Sequence, residues 1–272
     1  MIYYIYNPLA KSVNAGTLIK KKNYSQKYAL NNETEMNKLL DIVKKEDILY
    51  LLGGDGTLQH FIDMYPSLLN NEIKYYPLGS ANDFAQTLKD KYPYVYKVTT
   101  SDQQSHSFIN GMGLGFDALV CKKVNNLKSK SRLSYLVESF KGVMEYKPFD
   151  ITVKYDGKVK TFNKVWLCSL QNGPYFGGGF KITKDADITD SKIDFAVANN
   201  INRFTVILIL LFVRLGQVHR LKKYFHSEKI SEFEIIDNKK LLAQFDGNTF
   251  DINTPCHISS CKKVKITKTS QL

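Results

Sequence analysis

A chain of 272 residues, 43% hydrophobic and 24% charged, has the make-up of an ordinary globular protein. It can bury a sizeable core as one large domain or two modest ones, which excludes a disordered or fibrous chain. Thirty-eight Lys and Arg against 26 Asp and Glu leave a formal net charge of +12, which suits nucleic acid, an anionic membrane or a polyphosphate substrate. The most apolar run, Phe204 to Val213, lies between Arg203 and Arg214 and is too short to span a bilayer.

In chain order, Met1–Asn7 reads as a strand that opens the sequence without a charged leader. Glu33 to Val43 carries Met36, Leu39, Leu40 and Val43 on one helical face, with Asn32 and Glu35 placed as a capping pair. Ile48–Leu52 is a second strand. Thr57 to Tyr65 reads as a helix ended by Pro66, Ile73–Tyr76 as a third strand, and Phe84–Leu88 as a short helix. Such alternation predicts a parallel sheet covered by helices, with ligands at the carboxyl ends of the strands.

From about Tyr94 strand patterns dominate: Tyr94–Thr99, Ser107–Met112, Ile151–Tyr155, Val159–Gln171, Ile193–Ala198 and Ile230–Ile236. Helical patterns interrupt them at Leu133–Gly142 and Arg203–Leu221. Asp156-Gly157 between two strands is a hairpin signal. The expected fold class is therefore α/β plus all-β. An N-terminal α/β nucleotide-binding domain with a parallel sheet spans 1–100, with the tail at about 262–272 returning to it. A C-terminal β-rich, sandwich-like domain spans 101–261.

Cys121, Cys168, Cys256 and Cys261 lack paired spacing, which reads as reduced thiols in a cytoplasmic protein rather than a zinc site. Lysine and arginine cluster at Lys20-Lys21-Lys22, Lys122 through Arg132, Arg214 through Lys223 and Lys262 through Lys268. Each cluster reads equally well as a solvated surface, and no nucleic-acid motif accompanies them, so a nucleic-acid partner is not expected.

The most informative stretch is Leu51-Leu52-Gly53-Gly54-Asp55-Gly56-Thr57. A strand that ends in glycines and feeds a helix presents free N–H groups to an anion, so a phosphate ester is the expected ligand. Asp55 would repel bare phosphate and points to Mg²⁺ or a ribose hydroxyl. A glycine-rich turn alone is equally an ordinary tight turn, and the Gly-Lys-Ser/Thr ending of the Walker loop is absent.

Other polar clusters follow in order: Asn7-Pro8, Gly79-Ser80-Ala81-Asn82-Asp83-Phe84-Ala85, Asn110-Gly111-Met112-Gly113-Leu114-Gly115-Phe116-Asp117-Ala118, Phe176-Gly177-Gly178-Gly179, Asp185-Ala186-Asp187 to Asp194, and Asp246-Gly247. This series, from Asn7 to about Lys265, resembles the diacylglycerol kinase catalytic family, in its small soluble bacterial members. Sphingoid-base kinases share the core and NAD kinases are more distant.

The resemblance implies an ATP- and Mg²⁺-dependent lipid kinase. Asn7, Pro8, Leu9, Ala10, Lys11, Gly54, Asp55, Gly56, Thr57, His60, Ser80 and Asn82 would line the nucleotide site. Asp55 and Asp83 would sit near phosphates and catalytic Mg²⁺, and Asp246 near the acceptor hydroxyl as base. A structural Mg²⁺ is implied at Asp187, Asp190 and Lys192, the first and last through backbone carbonyls. The implied acceptor is diacylglycerol or a related lipid at an anionic membrane surface, met by a cytoplasmic protein peripheral to the inner face. Self-association into a homodimer is the other candidate interaction.

The sequence departs from the family pattern at four places. Asn248 stands where an Asp-Gly-Glu triplet has its Glu, and an amide accepts no proton at neutral pH. Gln59-His60 replaces an Asn-Glu pair, Lys11 a glycine, and Ser191 the glycine of an Asp-Gly. These support a second reading, a degenerate member that binds nucleotide or lipid without turnover. His60 by itself reads equally as a solvent-facing histidine.

Overall fold

The computed structural model describes residues 1–8, 26–79, 82–88, 92–127, 132–176, 180–181, 186–214 and 223–271. Its first part runs β1 (Ile2–Tyr6), β2 (Lys27–Ala29), α1 (Glu33–Ile42), β3 (Ile48–Gly53), α2 (Asp55–Met64), a 3-10 turn (Pro66–Asn70), β4 (Glu72–Pro77) and α3 (Asp83–Thr87). The capping pair forms as its spacing predicts: Asn32 accepts from Glu35 N at 3.2 Å and donates to the Glu35 carboxylate at 3.0 Å. Pro66 ends the helical run at Tyr65 because it carries no N–H to continue it. α2 begins two residues before the expected Thr57, so Asp55 stands in its first turn.

The second part continues with β5 (Tyr94–Thr100), β6 (Ser105–Phe108), β7 (Gly111–Gly115), α4 (Phe116–Asn125), α5 (Arg132–Glu145), β8 (Phe149–Tyr155), β9 (Lys158–Gln171), the short pair β10 (Tyr175–Phe176) and β11 (Phe180–Lys181), and β12 (Ile193–Asn199). Then come α6 (Arg203–Arg214), β13 (His226–Ile230), β14 (Phe233–Ile235), β15 (Lys240–Phe245), β16 (Asn248–Asn253), β17 (Cys256–Lys263) and β18 (Ile266–Lys268). The single strands expected at Ser107–Met112 and Ile230–Ile236 are each split in two. Residues 215–221 of the expected second helix lie outside the described residues.

Five strands form a parallel sheet in the order β18-β4-β3-β1-β2. Alternation decides its faces. Tyr3, Ile5, Leu49, Leu51, Ile73 and Tyr75 point to the side covered by Met36 and Leu39 of α1 and by Leu58, Phe61 and Ile62 of α2. The larger sheet pairs antiparallel throughout. Its core gathers Phe108, Met112, Val153, Val165, Phe195 and Phe245. α4, α5 and α6 cover one region of it around Val124, Val143, Trp166 and Val206.

The two parts meet where α2 packs on β6. Ser107 N donates to Asp63 Oδ1 at 2.7 Å, and Gln59 Nε2 donates to Ser107 O at 3.3 Å. Cys121, Cys168 and Cys256 are buried and Cys261 is exposed, all as free thiols.

Candidate active site

The glycine loop turns from β3 into α2, and Asn7 Nδ2 ties the end of β1 to it by donating to Thr57 Oγ1 at 3.2 Å. The loop after β4 closes in from the side. A Cβ on Gly54 would stand 2.9 Å from the Gly79 Cα, and one on Gly79 would stand 2.4 Å from Asn82 Oδ1. Two backbones at that distance leave no room for side chains between them, which is why both positions are glycine. Asn82, at φ 49, holds the second loop by accepting from Gly79 N at 2.9 Å and donating to Gly79 O at 2.7 Å. Open space surrounds the place a Gly56 Cβ would take, at a helix N-terminus suited to an anion.

Asp55 is half-buried and accepts from Tyr75 Oη and from Phe84 N, each at 3.2 Å. Burial pushes its carboxyl up to about 6 against the pull of the Phe84 N–H, and the charge of Asp83 adds to the rise. Asp83 is buried in the first turn of α3. A divalent cation would relieve that repulsion, so this donor pair fits Mg²⁺ chemically. Tyr75, a core-facing residue of β4, was not among the expected site residues. Nothing in a strand pattern shows that its hydroxyl ends on Asp55.

Asp246-Gly247 is the two-residue turn of the β15–β16 hairpin, with φ 48 and 93, as Asp-Gly chemistry favours. Its carboxylate does more than turn the chain. Oδ2 accepts from Ile109 N at 2.8 Å, and Oδ1 accepts from Asn110 N at 2.9 Å and Gly111 N at 2.7 Å. Burial pushes the group up to about 7 against these three donors, and the Asp55 charge contributes to the rise. Both oxygens thus accept from backbone amides, and Asp246 organises the break between β6 and β7. Gly247 is fixed in turn, its N–H on Gln244 Oε1 and its carbonyl on Asn125 Nδ2, both at 2.8 Å.

Asn248 follows directly, and its Nδ2 donates to Gln59 Oε1. Two positions where the sequence departs from the family pattern therefore form one hydrogen-bonded pair across the junction. Asp55, Gln59 and Asp63 lie on successive turns of one α2 face. Beyond Asn248, His106 packs in a triangle with the rings of Phe245 and Phe250, with centroids 5.1 and 4.3 Å away. Its Nδ1 is 3.8 Å from Asp63 Oδ2. His60, one residue on from Gln59, is exposed.

Asn7, Gly54, Asp55, Gly56, Thr57, Asn82 and Asp83 thus gather at the carboxyl ends of β1, β3 and β4, with Pro8 exposed beside Asn7. Leu9, Ala10, Lys11 and Ser80 lie outside the described residues, as do Gly177, Gly178, Gly179 and Asp185.

The Asp187–Lys192 loop forms a group of its own, anchored on β5 by Tyr94 N to Ile188 O at 2.8 Å. Asp187 Oδ1 accepts from Thr189 N and Oγ1, and Asp190 Oδ1 from Lys192 N. Asp190 Oδ2 pairs with Lys229 Nζ at 2.7 Å, and Lys192 Nζ reaches Ser231 Oγ. Lys229 thus answers the Asp190 charge in this loop. Among the described residues no three His, Cys, Asp or Glu side chains converge as a metal site.

Asp117, in the first turn of α4, is buried against β7 and accepts from Gln244 Nε2 at 3.4 Å. Burial pushes it up to about 7. A carboxyl so raised favours folding while protonated; the benefit is whole below the unfolded value near pH 4 and is lost as pH rises through 7. Asp117→Asn is expected to raise the unfolding temperature by roughly 5 °C at pH 8 and to change it little at pH 4.5. An equal shift at both pH values in thermal scans would contradict this.

Comparison with known proteins agrees with this architecture. Residues 5–109 match the diacylglycerol kinase catalytic domain, and residues 111–261 match the YegS C-terminal NAD kinase beta sandwich-like domain. The chain is 25% identical over 179 residues to "Putative lipid kinase YtlR" of Bacillus subtilis, covering 56% of this chain and 58% of that protein. It is 28% identical over 171 residues to "Putative lipid kinase SERP0390" of Staphylococcus epidermidis, covering 57% and 54%. The matched region is thus little more than half the length of these relatives. A crystal structure of a "putative diacylglycerol kinase" from Bacillus anthracis superposes with a TM-score of 0.72 at 19% identity, over 98% of this chain and 94% of that one. At that identity the likeness is one of fold.

Proposed function

The chain belongs to the diacylglycerol kinase catalytic family, and from that membership we propose that it is a lipid kinase. It transfers the γ-phosphate of ATP, with Mg²⁺, to the hydroxyl of diacylglycerol or a related lipid at an anionic membrane surface. The observation that carries this reading is the gathering of Asp55, Asp83 and Asp246 at one junction, near enough for Asp55 to raise Asp246 and for Asp83 to raise Asp55. Phosphoryl transfer asks the protein mainly for positioning, charge neutralisation and a proton acceptor.

The glycine loop and α2 N-terminus would hold the phosphates, and Asp55 and Asp83 would hold Mg²⁺, which supplies charge neutralisation when bound. Asp246 accepts three backbone N–H bonds and keeps a lone pair on Oδ2, so it would take the proton of the acceptor hydroxyl while Asp55 serves the metal. Asp246 also sets the backbone on which the acceptor side rests.

A second reading, binding without turnover, is favoured by one observation: the Asn248 amide stands where the family pattern has a carboxylate and is held by Gln59. The experiment is γ-labelled ATP and Mg²⁺ with a total lipid extract, using the native protein and Asn248→Glu. Label in the lipid phase with the native protein is expected. Label only with Asn248→Glu supports the second reading, and label with neither overturns the kinase assignment.

A further inference from the structure

α5 packs on α4 and on α6, yet much of the apolar surface of α5 and α6 faces outward. In α5 the pattern is turned over. Glu138 and Ser139 are buried, while Val137, Phe140 and Met144, which recur along one helical face, are exposed, Met144 by 69%. α6 is apolar between its terminal arginines apart from Thr205. Val206 and Ile209 are buried, whereas Phe204 (68% exposed) and Leu211 face out. Large apolar side chains left exposed along two neighbouring helices point to an interaction site.

The charge of the sequence segments that carry this surface is mainly of one sign. From Ala118 to Val137 the sequence carries five Lys or Arg and no acid, and from Phe195 to Ser227 again five and none. The acids on α5 are answered: Glu138 pairs with Lys141 at 2.8 Å and Glu145 with Lys123 at 2.6 Å. Lys122 and Lys147 stand exposed beside them. An apolar stripe carried by segments rich in Lys and Arg complements a surface that is oily within and anionic at its rim. That describes an anionic bilayer, in which aromatic and thioether side chains enter the acyl boundary and lysines meet the headgroups. Among the described residues no helix is long and apolar enough to cross a membrane.

We propose that the outward face of α5 and α6 is the docking surface for an anionic lipid bilayer. This rests on the lipid kinase reading only in giving that reading's acceptor a place. α4 packs against both β15 and β16, and its Asn125 holds the Gly247 carbonyl. α5 therefore leans directly on the element that fixes the Asp246 turn, and α6 leans on α5.

The test is flotation of the full chain with phosphatidylcholine vesicles, with and without phosphatidylglycerol, for the native protein and for Phe140→Ser/Met144→Ser/Phe204→Ser. These side chains are exposed, so the variant's unfolding temperature should match the native one. Native protein should float with the anionic vesicles, less so at high salt, and the variant should lose at least about tenfold in bound fraction. Native protein that floats with neither composition, or a variant that floats as well as native, overturns the proposal. So does a native dimer that the variant dissolves without any flotation, which would assign the face to a second copy of the chain. Phosphate transfer to a short-chain diacylglycerol in solution separates the two readings. Transfer without flotation sinks docking alone, and flotation without transfer sinks the kinase reading alone.

Discussion

Asp55→Asn is expected to lower ATP-dependent phosphate transfer into lipid by about 10²–10⁴-fold while the protein remains folded. The substitution keeps the shape of the side chain. Its remaining oxygen can accept from Phe84 N, and its amide can donate to Tyr75 Oη, so both contacts made by the carboxylate survive. What is lost is the negative charge that would serve the metal. Because burial holds the carboxyl at about 6, native activity should fall as pH drops below 6. The residual activity of the variant should fall less steeply there. Lipid-phase label at several pH values, with thermal scans alongside, checks both statements. Activity within tenfold of native would contradict the role.

Asp246→Ala should destabilise the protein by about 3–5 kcal/mol, the range for removing a buried charged acceptor and leaving its donors unpaired. The Ile109, Asn110 and Gly111 amides would all lose their acceptor. Alanine is also disfavoured at φ 48. For a chain of this size the loss corresponds to a fall of about 10 °C in unfolding temperature. Asp246→Asn tolerates the backbone and keeps one accepting oxygen, so it should fall by roughly half as much. The single tryptophan, Trp166, lies in the larger sheet, so its fluorescence reports this transition. An Asp246→Ala protein that melts at the native temperature but transfers no phosphate would instead make Asp246 a purely chemical residue.

Much of the architecture was legible because its signals are local. Period-two alternation in Ile2–Tyr6 and Ile151–Tyr155, the Asn32–Glu35 cap, Pro66 and the Asp156-Gly157 turn each act within a few residues. The α/β-then-β order of the chain follows from them. α4 was missed because Phe116-Asp117-Ala118 was read as the end of a glycine motif, although its apolar residues recur at helical spacing. The break at Ile109-Asn110 was invisible for a different reason. The strand pattern runs straight through it, and what divides β6 from β7 is a carboxylate more than 130 residues away.

Sequence alone determined which residue types stand at the ends of β1, β3 and β4, and so the anion chemistry expected there. It also determined that Asn248 and Gln59 depart from a family pattern. Only the tertiary structure decided that these two bond to each other across 189 residues, that both Asp246 oxygens serve backbone amides, and that Asp190 is answered by Lys229. It also decided that α5 turns Glu138 inward and Phe140 outward. Turn and helix preferences are set by neighbours along the chain. The partner of a carboxylate, and the face a helix buries, are set by whatever the fold brings against it.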